Sequence, residues 1–217
     1  MAGLWLLCSC SGQPDVNWDV YLGDLSSTQF KEVSEITKKN VANLQVAWTY
    51  DGGESDPENR SQIQCNPLVV DGVLYGTTAS LKLVALDATS GELLWSYNPF
   101  QESFKNFGMG VNRGLIFWES PDSKQRRLYF SAGPFIHCVN ADDGSLVASF
   151  GDNGKVSLKT GLDRDVEDRF ILSNTPGVIF EDKLIIGTRV DETSGAAPGH
   201  IPVSYTHLTL PTNTVTC

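Results

Sequence analysis

Apolar residues gather in short β-rich runs separated by polar turns. Val73-Leu-Tyr-Gly-Thr-Thr78 and Arg127-Leu-Tyr-Phe-Ser-Ala132 each read as a strand. Each leads into the same phrase: Ala85-Leu-Asp-Ala-Thr-Ser-Gly-Glu-Leu-Leu-Trp95 in one case, Cys138-Val-Asn-Ala-Asp-Asp-Gly-Ser-Leu-Val-Ala148 in the other, with Gly91 and Gly144 in register. The unit is strand, strand, tight turn, strand. Internal similarity at about 40 to 50 residues with four short strands per unit predicts an all-β chain of β-propeller blades. Roughly three units are visible, the third starting at Lys183-Leu-Ile-Ile-Gly187.

Local chemistry supports this reading. Asp71-Gly72 sits between two β-rich runs in Pro67-Leu-Val-Val-Asp-Gly-Val-Leu-Tyr75 and predicts a hairpin. In the repeated phrase, Asp87 and Thr89 are placed to bond the turn backbone, and Gly91 supplies positive φ. Trp95 closes the first copy and is expected to wedge between neighbouring blades; the second copy has Ala148 there and Phe150 two residues on, a weaker or shifted wedge. Upstream, Thr37 is expected to cap a short helix ahead of a strand at Leu44-Gln-Val-Ala-Trp-Thr-Tyr50. Residues 98–114 and 151–176 interrupt the repeat, and loops that long inside a compact repeat point to function.

Charge narrows the partners. With 26 acidic and 16 basic residues the net charge is −10, and no Lys/Arg stripe is present to follow a phosphate backbone. Nucleic acid is therefore excluded as the expected partner. The five cysteines show no zinc spacing and no disulfide framework; Cys65 and Cys138 are expected on strands as buried free thiols. Residues 1–17 read as a leader and linker, in which Leu7-Cys-Ser-Cys10 resembles a lipobox. This predicts export to the periplasm, with a lipid anchor on Cys10. Residues 203–217 are Thr-rich and free of acidic or basic side chains, a tail not expected to continue the blade; residues 18–202 form the propeller segment.

Catalytic constellations are sparse. The histidines before the tail, His137 and His200, have no nucleophile at useful spacing, and no Gly-rich phosphate loop follows a strand. His137 lies mid-strand, where a structural role is expected. Val111-Asn-Arg-Gly-Leu-Ile-Phe-Trp-Glu119 places an arginine at the mouth of an apolar strand. Arginine pairs bidentately with carboxylates, so this position suits a polycarboxylate ligand.

Taken together, Trp18-Asp-Val-Tyr-Leu-Gly-Asp24, Asn40-Val-Ala-Asn-Leu-Gln-Val-Ala-Trp48, the hairpin and repeat already quoted, Val111-Asn-Arg-Gly114 and Phe150-Gly-Asp-Asn-Gly154 resemble the N-terminal part of the pyrroloquinoline-quinone (PQQ)-dependent dehydrogenases. The resemblance implies an eight-bladed propeller with the quinone near its axis beside a divalent cation, usually calcium. It implies oxidation of a sugar or alcohol, with hydride transfer to the quinone and electrons passed to a quinone or cytochrome acceptor. By position, Arg113 matches the arginine that binds a cofactor carboxylate, and Gln64 falls where relatives place a glutamate facing the quinone. Ser173, Asn174 and Thr175 match a segment contacting the same ligand. Glu192 falls on the family's metal carboxylate, with Asp191 beside it, oxygen ligands suited to a hard cation.

Alcohol-oxidising members carry adjacent cysteines shortly before Val-Asn-Arg-Gly, whereas this chain has Phe107-Gly-Met-Gly110. That tilts the expectation towards the glucose or sugar type. The catalytic Asp and remaining metal ligands are expected beyond residue 201, so the chain reads as an inactive fragment with about three of eight blades. The rival is a non-enzymatic propeller lipoprotein acting as an assembly scaffold, to which Arg113 and its neighbours would be of no use.

Overall fold

Asp71 and Gly72 both adopt positive φ, 49° and 79°, the turn geometry whose twist matches that of paired strands. They close β1 (Leu68–Val70) onto β2 (Val73–Thr77), with Val70 opposite Val73. With β3 (Leu83–Asp87) and β4 (Leu93–Tyr97) these form an antiparallel sheet in the order β1-β2-β3-β4. A second sheet repeats the plan with β5 (Ile116–Glu119), β6 (Arg126–Ala132), β7 (Phe135–Asn140) and β8 (Lys155–Ser157). β9 (Ile171–Leu172) then pairs with β12 (Arg189–Val190). The third sheet has the order β10 (Val178–Phe180), β11 (Lys183–Ile185), β13 (Ile201–Tyr205), β14 (Asn213–Val215). This computed structural model describes residues 17–54, 58, 62–100, 111–162 and 165–190, and the backbone of strands 201–205 and 213–215. Meandering four-stranded sheets packed side by side are the propeller blades that the repeat predicts.

The repeated phrase is the joint between sheets. In the first copy the Asp87 carboxylate accepts hydrogen bonds from the backbone N–H of Thr89 (2.9 Å) and Ser90 (2.8 Å), and from the Ser90 hydroxyl (3.0 Å). Ser90, rather than Thr89, supplies the hydroxyl, and Gly91 turns the chain at φ 75°. Over that glycine lies Trp48: a Cβ on Gly91 would stand 2.5 Å from the ring. The Trp48 indole N–H donates to the Ala88 carbonyl at 3.1 Å. The second copy seats its ring in the same way. A Cβ on Gly144 would stand 2.5 Å from the Trp95 ring, and the Trp95 N–H donates to the Ala141 carbonyl at 3.1 Å. The glycine is thus needed twice over, for its φ and for the space of the missing side chain. The ring wedges between blades as expected, and its seat is the next copy of the phrase.

The second sheet is buried on both faces, and strand alternation sorts its side chains. Leu128, Phe130 and Ala132 on β6 face the first sheet with Val139 of β7, against Leu68, Val70, Tyr75, Leu83 and Ala85. Tyr129, Ile136 and Cys138 face the other way, against Leu184 and Ile186. Phe150 is buried there edge-on to Tyr129, ring centroids 5.3 Å apart, the shifted wedge of the second copy. His137 is buried at the first joint. Its Nδ1 lies 2.9 Å from the Tyr97 hydroxyl and its ring stacks on Phe130. Burial penalises the imidazolium and the nearby Lys155 adds repulsion, so its pKa falls to about 4. A neutral histidine holding a neighbouring blade is a structural role, as its mid-strand position suggests.

Five local expectations change. Residues 44–50 form no strand: among the described residues no strand pairs with their backbone, and Leu44 and Val46 stay 61% and 83% exposed. Instead of a capped helix there is one 3-10 turn, Val41–Asn43, because Thr37 and Asn40 bond each other, Thr37 N–H to Asn40 Oδ1 at 2.6 Å. The interruption at 151–176 is not all loop. It contains β8, where Val156 alternates into the core, and β9. The chain beyond Val203 does continue the sheet, since β13 pairs with β11 and β14 with β13; a Thr- and Val-rich stretch suits a pleated strand whatever its lack of charge. Cys138 is buried on β7 as expected, while Cys65 is half-buried just ahead of β1.

Two predictions concern these joints. Gly144→Ala should destabilise the chain by about 1–3 kcal/mol more than Gly72→Ala, because both residues have positive φ but only Gly144 faces a ring. Urea unfolding of the two variants checks this, and equal losses would contradict the docking role of the glycine. The second concerns acid. His137 is neutral in both folded and unfolded states above pH 6.5, but below it only the unfolded chain readily takes the proton until about pH 4. Stability should therefore decline as pH falls through that window, and His137→Gln should flatten the decline. Glu54, whose burial is outweighed by hydrogen bonds from Lys82 and Ser80 that hold it to about 2, loses its contribution as pH falls from 4.5 towards 2, so it overlaps only the lower end of that window.

Candidate functional site

The segments that lead into successive sheets are laced to one another by their backbones. The Asn66 N–H donates to the Arg113 carbonyl at 3.0 Å, and its side-chain amide donates to the same oxygen at 3.1 Å. The Arg113 N–H in turn donates to the Asn174 carbonyl at 2.7 Å, while Asn174 Nδ2 reaches back to the Val111 carbonyl at 2.9 Å. Asn112 anchors the middle segment. It is buried, bonds the Ser131 carbonyl and accepts from the Gly114 N–H at 2.7 Å. Gly114 permits the close approach, since a Cβ there would meet Tyr21 at 2.6 Å.

A cavity of about 470 Å³ opens where these segments meet, and Gln64, Arg113, Asn174 and Thr175 all line it. Four of the residues singled out from the sequence therefore converge. Gln64 Oε1 lies 3.5 Å from Arg113 Nε. Ser173 is placed otherwise: buried, its hydroxyl donates to the Thr175 carbonyl at 3.0 Å and shapes the turn that presents its neighbours. Asp191 and Glu192 lie outside the described residues, as do the Phe107-Gly-Met-Gly110 stretch and Cys10. Among the described residues no cluster of three or more His, Cys, Asp or Glu stands ready for a metal ion, and no helix is long and apolar enough to cross a membrane.

The cavity wall is completed by Val111, Gly187, Thr188 and Arg189. Sequence reasoning passed over Arg189, although Gly187-Thr-Arg189 sets an arginine next to an apolar strand much as Asn112-Arg-Gly114 does. Among the described residues, two guanidinium groups, two side-chain amides and threonine hydroxyls share this wall, and no carboxylate does. In a chain of net charge −10 this is a local reversal of sign. The arrangement is rich in donors and suits a planar ligand bearing carboxylates. Among the described residues one buried acceptor of this segment, Asn174 Oδ1, receives no hydrogen bond.

The strongly shifted groups lie elsewhere. Cys138 is pushed up to about 12 and Tyr129 higher still by burial between the second and third sheets, and Tyr97 to about 12 at the first joint. These are consequences of packing. The candidate site works through fixed charge.

Comparison with known proteins agrees with this architecture. A family profile described as PQQ, glucose/ethanol/alcohol dehydrogenase, beta-propeller domain, matches residues 18–203. The dehydrogenase subunit of a quinone alcohol dehydrogenase from Gluconacetobacter polyoxogenes is 35% identical over 143 residues, covering 64% of this chain and 17% of the relative. The quinoprotein glucose dehydrogenase of Escherichia coli K12 is 26% identical over 204 residues, covering 85% of this chain and 26% of the relative. The chain thus spans about a quarter or less of the length of these relatives, and alcohol- and glucose-oxidising proteins match comparably well. Among solved structures, the quinohemoprotein alcohol dehydrogenase of Comamonas testosteroni superposes with a TM-score of 0.70 at 22% identity, over 89% of this chain and 26% of that one. A europium-containing methanol dehydrogenase gives 0.66 at 19% identity, over 92% and 31%. The two structures share its fold, and the profile spans nearly every described residue: this chain belongs to the PQQ-dependent dehydrogenase β-propeller family.

Proposed function

We propose that this chain is the quinone-binding N-terminal part of a dehydrogenase that oxidises a sugar or alcohol CH–OH group, with electrons leaving to a quinone or cytochrome acceptor. The observation that carries the proposal is the cavity lined by Arg113 and Arg189, with no carboxylate on its wall among the described residues, in a strongly acidic chain of this family. Pyrroloquinoline quinone is planar and carries several carboxylates, and the donor-rich wall fits it. When bound, it supplies the hydride acceptor. The residues of this chain bind and orient it: Arg113 pairs with a carboxylate, Gln64 and Thr175 bond its edge, and Asn174 holds the Arg113 segment in place through its carbonyl and its side-chain amide.

Calcium, or another divalent cation, belongs to the same proposal through Glu192 with Asp191 as neighbour, on the strength of their positions in the sequence just beyond β12. The preference for sugars rests on Phe107-Gly-Met-Gly110 in place of adjacent cysteines. A periplasmic location and a lipid on Cys10 rest on the lipobox-like Leu7-Cys-Ser-Cys10. No residue of this chain is assigned the catalytic base, and a pure scaffold reading leaves the paired arginines without a purpose.

Full-length protein supplied with PQQ and calcium should reduce an artificial electron acceptor when given an aldose. Absence of quinone binding by calorimetry would defeat the proposal. Arg113→Ala should weaken PQQ binding at least about tenfold, the worth of one charge-assisted hydrogen bond or more. Lys124→Ala, removing an exposed cation paired with Asp122 in the loop between β5 and β6, should leave binding unchanged. Equal effects of the two substitutions would undo the assignment of Arg113.

A further inference from the structure

The two-stranded pair β9 and β12 gives the cavity its second arginine. Arg189 stands opposite Leu172 in that ladder, and Leu172 leads directly into Ser173, Asn174 and Thr175. The pairing therefore fixes Arg189 beside the segment that hydrogen-bonds Arg113. Its guanidinium lies over the Phe170 ring, 5.7 Å from the centroid. Stacking of this kind holds the plane of the group while leaving its N–H edges free to bond. Among the described residues, neither Arg189 nor Arg113 forms an ion pair with a carboxylate, and no carboxylate lines the cavity they share. By contrast, Arg126 meets Asp71, Glu119 and Asp142, and Lys82 meets Glu54. Two like charges left facing one polar cavity repel each other, and an anion between them turns that repulsion into binding.

We propose that Arg189 is a second carboxylate anchor of the site, so that the quinone is gripped through two acidic groups, one at each arginine. The inference rests on the reading of the cavity as the PQQ site and adds a residue to it. A single arginine orients one end of a planar ligand, whereas two at different points of the wall also fix its rotation in its own plane. Arg189 thereby discriminates against flat quinones that carry fewer carboxylates.

The test is equilibrium binding of PQQ to the full-length protein by calorimetry, with Arg113→Ala, Arg189→Gln and Arg189→Lys alongside the wild type. Arg189→Gln should weaken binding at least about tenfold, and Arg189→Lys should recover part of the loss because it restores charge without the fork. PQQ trimethyl ester should bind weakly to the wild type and be nearly insensitive to Arg189→Gln, since it offers no carboxylate. Thermal melts of the unliganded variants separate folding damage from lost contact; if Arg189→Gln melts early, Arg189→Lys compared on the acid and the ester carries the test. If the wild type binds and Arg113→Ala weakens it while neither Arg189 variant does, the second anchor is refuted and the site reading survives. A wild type that binds no PQQ overturns both.

Discussion

Everything in this chain hangs on an indole laid over a glycine. Trp48 and Trp95 each close against the turn of the next copy of the repeated phrase, with the ring where a side chain would be and the indole N–H on the carbonyl three residues earlier. The contact combines a large apolar surface with a hydrogen bond of fixed direction, so it sets both the distance and the angle between successive sheets. The Tyr75 hydroxyl adds a second donor to the same Ala141 oxygen, and Arg126 joins the Asp71 turn to Asp142 across the joint. The ion pairs are partly exposed and contribute modestly. The ring on the glycine is what cannot be replaced.

From that joint follows the geometry of the cavity. Once sheets are set at a repeating angle, the segments leading into their first strands come close enough to exchange backbone hydrogen bonds, and Asn66, Arg113 and Asn174 are drawn together though they are distant in sequence. Arg113 then has its main chain held on both sides while its side chain lines the cavity beside Gln64. Among the described residues, no carboxylate lies on this wall of an otherwise acidic chain. Its buried titratable groups, His137, Cys138 and Tyr129, are silent partners of packing, shifted by desolvation at the joints.

How much of this was legible in the sequence depended on whether the signal was local. The Asp71-Gly72 hairpin, the Gly91 and Gly144 turns and the wedge at Trp95 are dictated within a few residues, and all are as expected. Trp48 belongs to the same pattern, but residues 44–50 read as a strand because β-propensity reports the segment and not whether a neighbour exists to pair with it. β8 was missed for the opposite reason: Lys155-Val-Ser157 is too short to stand out, and it forms because the β7 edge is there to receive it. The strands beyond Val203 were set aside on composition, which does not govern backbone pairing. At the site, Arg113 was conspicuous as a charge at the mouth of an apolar strand. Arg189 was not, since only the β9–β12 ladder brings it to the same cavity. Ser173 shared a motif with Asn174 and Thr175, and only the fold shows that it is buried with its hydroxyl on the Thr175 carbonyl.

The central claim is that the cavity between the blade-leading segments is where the quinone sits. A crystal structure of the full-length protein with PQQ tests it most directly. The expected result is a ligand carboxylate within about 2.7–3.2 Å of the Arg113 guanidinium, with the quinone ring in the cavity bounded by Gln64, Asn174 and Arg189. Quinone density at any other part of the propeller, with Arg113 facing solvent, would contradict it.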